Sequence, residues 1–189
     1  MTKLYFDTEF TGLHKDTSLI SIGIIDEYGN KFYGEITDYN KTQVDKWIQE
    51  NVIYNLYVNK IISYGCTRPG IEGETISLAE KDITRIHLTN WLKQYETIEW
   101  VSDVCHYDFV LLIDLLYGHA LNMPYGKHNA ACHDINQDIA RYYNISEIEA
   151  FDKSREDILK EHDITIEGKK HNALYDAKVI KAIYEIVNK

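Results

Sequence analysis

A short apolar segment that carries two acids near the N-terminus constrains the fold of this chain most strongly. Residues 6–13 read FDTEFTGL. Asp7 and Glu9 are two positions apart, so on an extended strand both carboxylates point to the same face. Two adjacent carboxylates among apolar neighbours repel each other and lose hydration, which costs free energy unless a cation or a proton neutralises them. A hard divalent ion that prefers oxygen ligands, Mg²⁺ or Mn²⁺, is the expected partner.

Length and composition are those of an ordinary globular protein. The chain has 189 residues, of which 44% are hydrophobic and 26% charged, and this predicts one domain over residues 1–189. No apolar run approaches the roughly 20 residues that a membrane-spanning helix needs. The three cysteines form no CxxC motif and the N-terminus has no signal-peptide pattern, so we expect a reduced, cytoplasmic protein.

The net charge of −10 argues against a protein that holds nucleic acid by bulk electrostatic attraction. It does not exclude an enzyme that meets phosphate groups through bound metal. Clustered acids at such a site increase the negative count, whereas the ions reverse its sign locally.

Hydrophobic periodicity predicts an α/β protein with a mixed central sheet flanked by helices. Strands are predicted at 3–9, 18–25, 31–36, 98–103 and 130–134, with a hairpin turn at 26–30. Helices are predicted at 42–50, 77–95, 107–117, 135–143 and 173–188. Ser77 and Glu80 have the spacing of a capping box at the start of the second helix. Residues 65–73 are predicted to form a loop, and residues 144–170 to form short helices and loops.

A metal site needs a third acid near the first strand, and Asp108 is placed to supply it. At 100° per residue Asp108 lies on the same helix face as Leu112 and Leu115, which is the apolar face. A lone aspartate on a core-facing stripe needs a partner. Asp103, at the end of a predicted strand, is a serious alternative. Asp114 is a weaker one, at the edge of the apolar stripe.

The last helix carries the fourth acid. Asp176 lies on the flank of its apolar stripe and so faces the body of the protein. Asn172 is a suitable N-cap, which places His171 on the loop just before the helix. From that position His171 and Asp176 can converge on one site. A histidine there suits a general base, because its unperturbed pKa is near neutrality.

In this order the motifs resemble the DEDDh 3′–5′ exonucleases of the RNase H-like fold, the group that contains RNase T, oligoribonuclease and polymerase proofreading subunits. The resemblance rests on FDTEFTGL at 6–13, HYDF at 106–109 and HNALYDA at 171–177. Segments 47–52 and 100–118 are also similar to a small 3′–5′ exoribonuclease subfamily described from mycobacteria. Phe10 stands where the first motif commonly has threonine, and the insert at 53–76 is poorly matched.

The resemblance implies a single DEDDh exonuclease domain that works by a two-metal-ion mechanism. Its product would be nucleoside 5′-monophosphates, released from RNA 3′ ends, and a homodimer is plausible on the same grounds. Two Mg²⁺ or Mn²⁺ ions would be held by Asp7, Glu9, Asp108 and Asp176. His171 would take the proton from the attacking water. The residues implied to hold the terminal nucleotide are Thr8, Phe10, Gly12 and Leu13.

Two other functions compete with this interpretation. The first is the same chemistry on DNA 3′ ends, because RNA is recognised through its 2′-hydroxyl and no residue of the sequence indicates that contact. The second is a non-catalytic module that keeps the fold to bind nucleic acid or a partner protein. Such a module predicts that at least one acid is missing, whereas all five motif positions are filled here.

Overall fold

The computed structural model describes residues 1–57, 67–69, 73–129 and 131–189. This part of the chain contains seven strands that form one sheet. The strands are β1 (Thr2–Phe10), β2 (Leu19–Asp26), β3 (Lys31–Ile36), β4 (Thr67–Pro69), β5 (Glu74–Ala79), β6 (Ile98–Ser102) and β7 (His133–Asp134).

The sheet is mixed, with the strand order β4-β5-β3-β2-β1-β6-β7. β1 pairs antiparallel with β2 and parallel with β6. β3 pairs antiparallel with β2 and parallel with β5, while β4 and β7 lie at the two edges. The hairpin predicted between the second and third strands is present. The predicted α/β class with a mixed sheet is confirmed.

Helices cover both faces of the sheet. They are α1 (Lys46–Asn51), α2 (Lys81–Trp91), α3 (Cys105–Tyr117), α4 (Ile135–Tyr143), α5 (Glu147–Asp152), α6 (Arg155–Glu161) and α7 (Ala173–Val187). Leu4 and Phe6 of β1 pack on the side of α2 and α3, whereas Tyr5 packs on the side of α4, α6 and α7. Within the described ranges, no helix combines the length and apolarity that crossing a bilayer would require.

The helix predicted to begin at Ser77 begins at Lys81 instead, so the predicted capping box is wrong. Ser77 lies inside β5, which pairs along its length with β3, and its hydroxyl is 2.8 Å from Nδ1 of His87. The backbone N–H of Lys81 donates to the side chain of Asp38 at 2.9 Å. Pairing with a distant strand therefore overrides the local cap signal, and a distant aspartate supplies the cap.

Other boundaries differ by smaller amounts. The helix predicted at 42–50 is a short 3₁₀ turn followed by α1, because Asp45 caps the new helix by accepting from the N–H of Ile48 at 2.8 Å. Thr67–Pro69 pair with β5 as β4, so this part of the predicted loop 65–73 is a strand. The rest of that loop up to residue 72, and residue 130 of the last predicted strand, lie outside the described residues. The short helices expected in 144–170 are α5 and α6.

Gly23 allows α7 to lie close against the centre of the sheet. It pairs with Asp7 in the register of β1 and β2. A Cβ atom at Gly23 would lie 2.2 Å from the backbone nitrogen of Leu174 and 2.3 Å from the carbonyl group of Ala173. The backbone at the start of α7 therefore occupies the space that a side chain would fill.

Replacing Gly23→Ala should push α7 away from β2, because backbone atoms cannot yield as a flexible side chain can. We expect a loss of about 3 kcal/mol in the free energy of unfolding, measured by urea denaturation. Gly126→Ala is the matched control, since a Cβ there meets nothing within 4 Å, and it should change stability by less than about 0.5 kcal/mol. Equal stability of the two variants would contradict the close packing of α7.

Candidate metal and nuclease site

The two acids of β1 lie just beyond the point where β1 stops pairing with β6. The parallel pairing of these strands ends at Tyr5 and Val101, so Asp7 and Glu9 line the gap that opens between their carboxyl ends. Both point to the sheet face on which α7 packs, because they alternate with Phe6 and Thr8. The predicted one-sided placement of the two carboxylates is present in the structure.

Asp108 reaches the same gap from α3 and is held there by two hydroxyl groups. Its Oδ1 accepts from Oγ1 of Thr8 at 2.6 Å and from the backbone N–H of Thr8 at 3.3 Å. Its Oδ2 accepts from Oγ of Ser102, at the end of β6, at 2.5 Å. The side chain is 1% exposed. Thr8 thus connects the second acid motif directly to the first.

Asp176 is placed by the first turn of α7. Asn172 is the N-cap, as predicted, and its Oδ1 accepts from the N–H of Tyr175 at 3.2 Å. The amide of Asn172 also donates to the hydroxyl of Tyr33 and to the carbonyl of Asn55, each at 3.2 Å. These bonds fix the start of the helix against β3 and the region after α1.

His171 lies on the loop before this cap, as predicted, and it adopts the left-handed conformation with φ of 61°. Its Nδ1 is 3.9 Å from Oε1 of Glu9, and its ring contacts the ring of Trp47 edge-on at 5.0 Å between centroids. Burial, together with the positive charge of Lys170, lowers the pKa of His171. The neutral imidazole that a general base requires is therefore favoured.

Two groups of carboxylates meet at Asp7. Oxygen atoms of Asp7, Glu9 and Asp176 all lie within 4.8 Å of one another. A second group with the same spacing is formed by Asp7, Asp103 and Asp108. Oδ2 of Asp7 is buried and has no hydrogen-bond partner in the part of the chain that the structure describes. This orphaned acceptor, within an all-oxygen donor set, fits a hard divalent cation.

The acids raise one another's pKa values. Burial, followed by the charges of the other carboxylates in the cluster, raises the pKa of Asp7 and that of Glu9 well above their ordinary values. Burial raises the pKa of Asp108 to about 7, although the hydroxyl hydrogen bonds oppose it. Burial likewise raises the pKa of Asp176 to about 8. A cation among these groups would replace this repulsion by attraction.

Asp103 and Asp114, the two alternatives to Asp108, lie in different places relative to the cluster of acids. Asp114 pairs with Lys81 at 2.5 Å and its side chain is 50% exposed, so it lies outside the cluster. Asp103 lies inside it and also forms an ion pair with Arg155, whose Nε is 3.0 Å from Oδ2 of Asp103. Asp103 and Asp108 are therefore neighbours in one site.

The residues predicted to hold the nucleotide all line the cavity beside the acids, which has a volume of about 630 Å³. Phe10 stacks on Tyr107 with the ring centroids 5.2 Å apart. Leu13 is 74% exposed at the rim. Thr8 is buried and bonded to Asp108, so its side chain contributes to the site through that acid. Gly12 has φ of 146°, which favours glycine.

Sequence reasoning did not identify several other cavity residues. Trp47 and Phe151 are about half exposed there, and Lys170 and Arg155 add positive charge. The contact of Trp47 with His171 spans more than a hundred residues of chain, and no local pattern signals it. Arg155 lies in the polar region that carried no motif.

A mixed sheet covered by helices on both faces, with acids from β1, α3 and α7 meeting at one end, defines the class of DEDDh exonucleases with an RNase H-like fold. The chain belongs to the family of the 3′–5′ exoribonuclease Rv2179c-like domain. The model of that family matches residues 2–187. This membership confirms the family and the class of enzyme predicted from the three motifs. No curated protein shows significant similarity to the chain.

Solved structures share this fold at low sequence identity. The nuclease domain of 3′hExo, a DEDDh family member bound to rAMP, has a TM-score of 0.65 and 13% identity, over 99% of this chain and 90% of its own. Pop2p of S. pombe, in its Mg²⁺- and Mn²⁺-bound form, has a TM-score of 0.60 and 16% identity, over 98% and 82%. Cell-death related nuclease 4 has a TM-score of 0.58 and 14% identity, over 99% and 64%. These similarities confirm the RNase H-like fold.

Removing one acid should stabilise the protein when metal is absent. At about pH 8 in the presence of EDTA, we expect Asp7→Asn to raise the free energy of unfolding by an amount on the order of 1 kcal/mol, because a carboxylate whose pKa is raised on folding destabilises the folded state at a pH where the unfolded chain ionises it. Added Mn²⁺ should raise the melting temperature of the wild type but not that of Asp7→Asn. Differential scanning calorimetry measures both effects.

The control for this experiment is Asp114→Asn, which removes the same charge outside the cluster. It should leave the Mn²⁺-induced shift at the wild-type value. If the melting temperature of the wild type does not change when Mn²⁺ is added, the assignment of a metal site is wrong.

Proposed function

We propose that this chain degrades RNA from its 3′ end and releases nucleoside 5′-monophosphates, using divalent ions held by Asp7, Glu9, Asp108 and Asp176. The observation that carries the proposal is the meeting of these acids at the shared residue Asp7. Membership in an exoribonuclease family supports the reaction class. The extent of the family match, residues 2–187, supports a single nuclease domain over the chain.

Mg²⁺ or Mn²⁺ fits the donor set because every donor is a carboxylate oxygen. When bound, two such ions would supply positive charge that neutralises the phosphate and stabilises the leaving oxygen. Asp7 belongs to both carboxylate groups, so it is the residue we assign to both ions. Glu9 and Asp176 would hold one ion, and Asp108 would contribute to the other.

His171 is assigned as the general base. It takes a proton from the attacking water while the water oxygen forms a bond to the terminal phosphorus. The bond between that phosphorus and the 3′-oxygen of the preceding nucleotide breaks, and this oxygen takes a proton from solvent. His171 is partly exposed and its Nδ1 is 3.9 Å from Glu9, so it stands beside the acids and can still reach the cavity.

The terminal nucleotide would occupy the cavity next to these groups. Phe10 presents an aromatic face on which a base can stack without sequence preference, and Leu13 presents an aliphatic side chain that can wedge against a base. Gly12 leaves room for close approach of the backbone, and Thr8 keeps Asp108 in place. Among the structural neighbours, the nuclease domain of 3′hExo was solved bound to rAMP, and another structure shows 3′-end specific recognition of the histone mRNA stem-loop by a 3′-exonuclease. The choice of RNA over DNA and assembly as a homodimer are predictions from the family resemblance.

An assay on end-labelled RNA and DNA of equal sequence tests the proposal. With Mg²⁺ or Mn²⁺, we expect the RNA to shorten from its 3′ end with release of 5′-monophosphates, faster than the DNA. Asp176→Asn should reduce the rate to background, because a metal ligand is lost, whereas Asp114→Asn should match the wild type. Faster loss of DNA would identify an exodeoxyribonuclease, and no hydrolysis of either polymer would support a binding module.

His171→Ala should separate proton transfer from metal binding. We expect the turnover rate to fall by about 10²–10⁴-fold, with Mn²⁺ affinity unchanged, because the imidazole is not assigned as a ligand. His162→Ala, at an exposed histidine, is the control and should retain the wild-type rate. A His171→Ala variant with normal turnover would refute the assignment of the base.

A further inference from the structure

We propose that Asp103 is a further metal ligand of this site, acting with Asp7 and Asp108 on the second divalent ion, and that Arg155 positions it. The proposal deepens the proposed function and rests on it. Asp103 follows β6 directly, at the carboxyl end of a strand parallel to β1. Its carboxylate is within 4.8 Å of those of Asp7 and Asp108, apart from the group that contains Glu9 and Asp176.

Asp108 alone has little capacity left for a cation. A carboxylate oxygen offers about two acceptor positions. Oδ1 of Asp108 already accepts two hydrogen bonds from Thr8, and Oδ2 accepts one from Ser102. One acceptor position therefore remains on Asp108, and Asp7 is shared with the first ion. A second ion needs further anionic oxygen close by, and Asp103 is the acid in place to supply it.

Arg155 fixes the orientation of Asp103. Nε of Arg155 is 3.0 Å from Oδ2 of Asp103, which leaves Oδ1 of that carboxylate for a cation. Nη1 of Arg155 donates to the carbonyls of Ala150 and Lys153 at 3.0 and 2.9 Å, and Nη2 donates to Oδ1 of Asn136 at 2.5 Å. The guanidinium side chain is 13% exposed. With its donors engaged on three sides, Arg155 can hardly shift, and neither can the oxygen that it holds.

A purely structural role for Asp103 would explain its ion pair with Arg155. It would not explain why Asp103 lies among the other carboxylates of the site. Asp103 adds negative charge beside Asp7, Asp108 and Asp176, and its charge raises the pKa of each of them. That repulsion weakens the apo protein. It becomes attraction once a divalent ion lies among the carboxylates. Oδ2 of Asp7, which is buried and has no hydrogen-bond partner among the described residues, is an acceptor that the same ion would satisfy.

The test counts bound Mn²⁺ by electron paramagnetic resonance, with the protein alone and with a saturating nucleoside 5′-monophosphate. We expect the wild type to bind two ions per chain. Asp103→Asn, which keeps the shape and removes the charge, should keep the first ion and bind the second at least about 10-fold more weakly, because even the loss of a partner that only orients a ligand costs that much affinity. Asp114→Asn, the matched charge change at an exposed site, should bind both ions as the wild type does.

A double variant, Asp103→Asn with Arg155→Gln, distinguishes a ligand from a structural partner. It removes both charges together, so no unpaired guanidinium is left buried and the chain should fold, as circular dichroism would show. A metal ligand predicts that the second ion stays weakly bound in the double variant. A structural partner predicts that affinity returns to the wild-type value, which would overturn the proposal.

The remaining outcomes are also decisive. Two ions bound by Asp103→Asn with wild-type affinity would overturn the inference, and so would a wild type that binds one ion under both conditions. In either case, continued RNA hydrolysis would leave the proposed exoribonuclease activity standing, although a single ion would overturn the assignment of two ions to the site. A wild type that neither binds Mn²⁺ nor hydrolyses RNA would refute the proposed function itself.

Discussion

Repulsion among buried carboxylates is the constraint on which the rest of this structure depends. Asp7 lies within 4.8 Å of acids from β1, α3, α7 and the end of β6, an arrangement that an unfolded chain would avoid. The sheet and its two helical layers must therefore supply the free energy that holds these groups together. The cost is concentrated at one end of the sheet, where a cation can reverse its sign.

Side chains alternate between the two faces of β1, so one face packs in the core and the other carries the acids of the site. Leu4, Phe6 and Thr8 point to the side of α2 and α3, where the first two fill the core and the third holds Asp108. Asp7 and Glu9 point to the side of α7, which approaches closely because Gly23 has no side chain. A shift of one residue in register would exchange these two sets and dismantle both the core and the site. Fold and chemistry are thus set by the same pairing.

Sequence reasoning succeeded where the signal was local. The spacing of the acids in β1, the apolar stripe that carries Asp108, and the cap formed by Asn172 each follow from neighbours within a few residues. It failed at Ser77, where pairing with β3 overrode an equally local cap signal. It left Asp103 as an alternative and passed over Arg155, because their contact joins residues 52 positions apart. A contact between residues so far apart in the chain produces no periodic pattern in the sequence.

The sequence by itself determined which acids and which histidine are available for catalysis and in what order they occur along the chain. It also determined which faces of the strand and helices carry them. Only the tertiary structure decided that the acids share one pocket, that Asp114 stands apart from them, and that Asp103 stands among them. The physical reason is the range of the forces involved. Periodicity and capping act within one or two turns, whereas the meeting of charges depends on how distant elements pack.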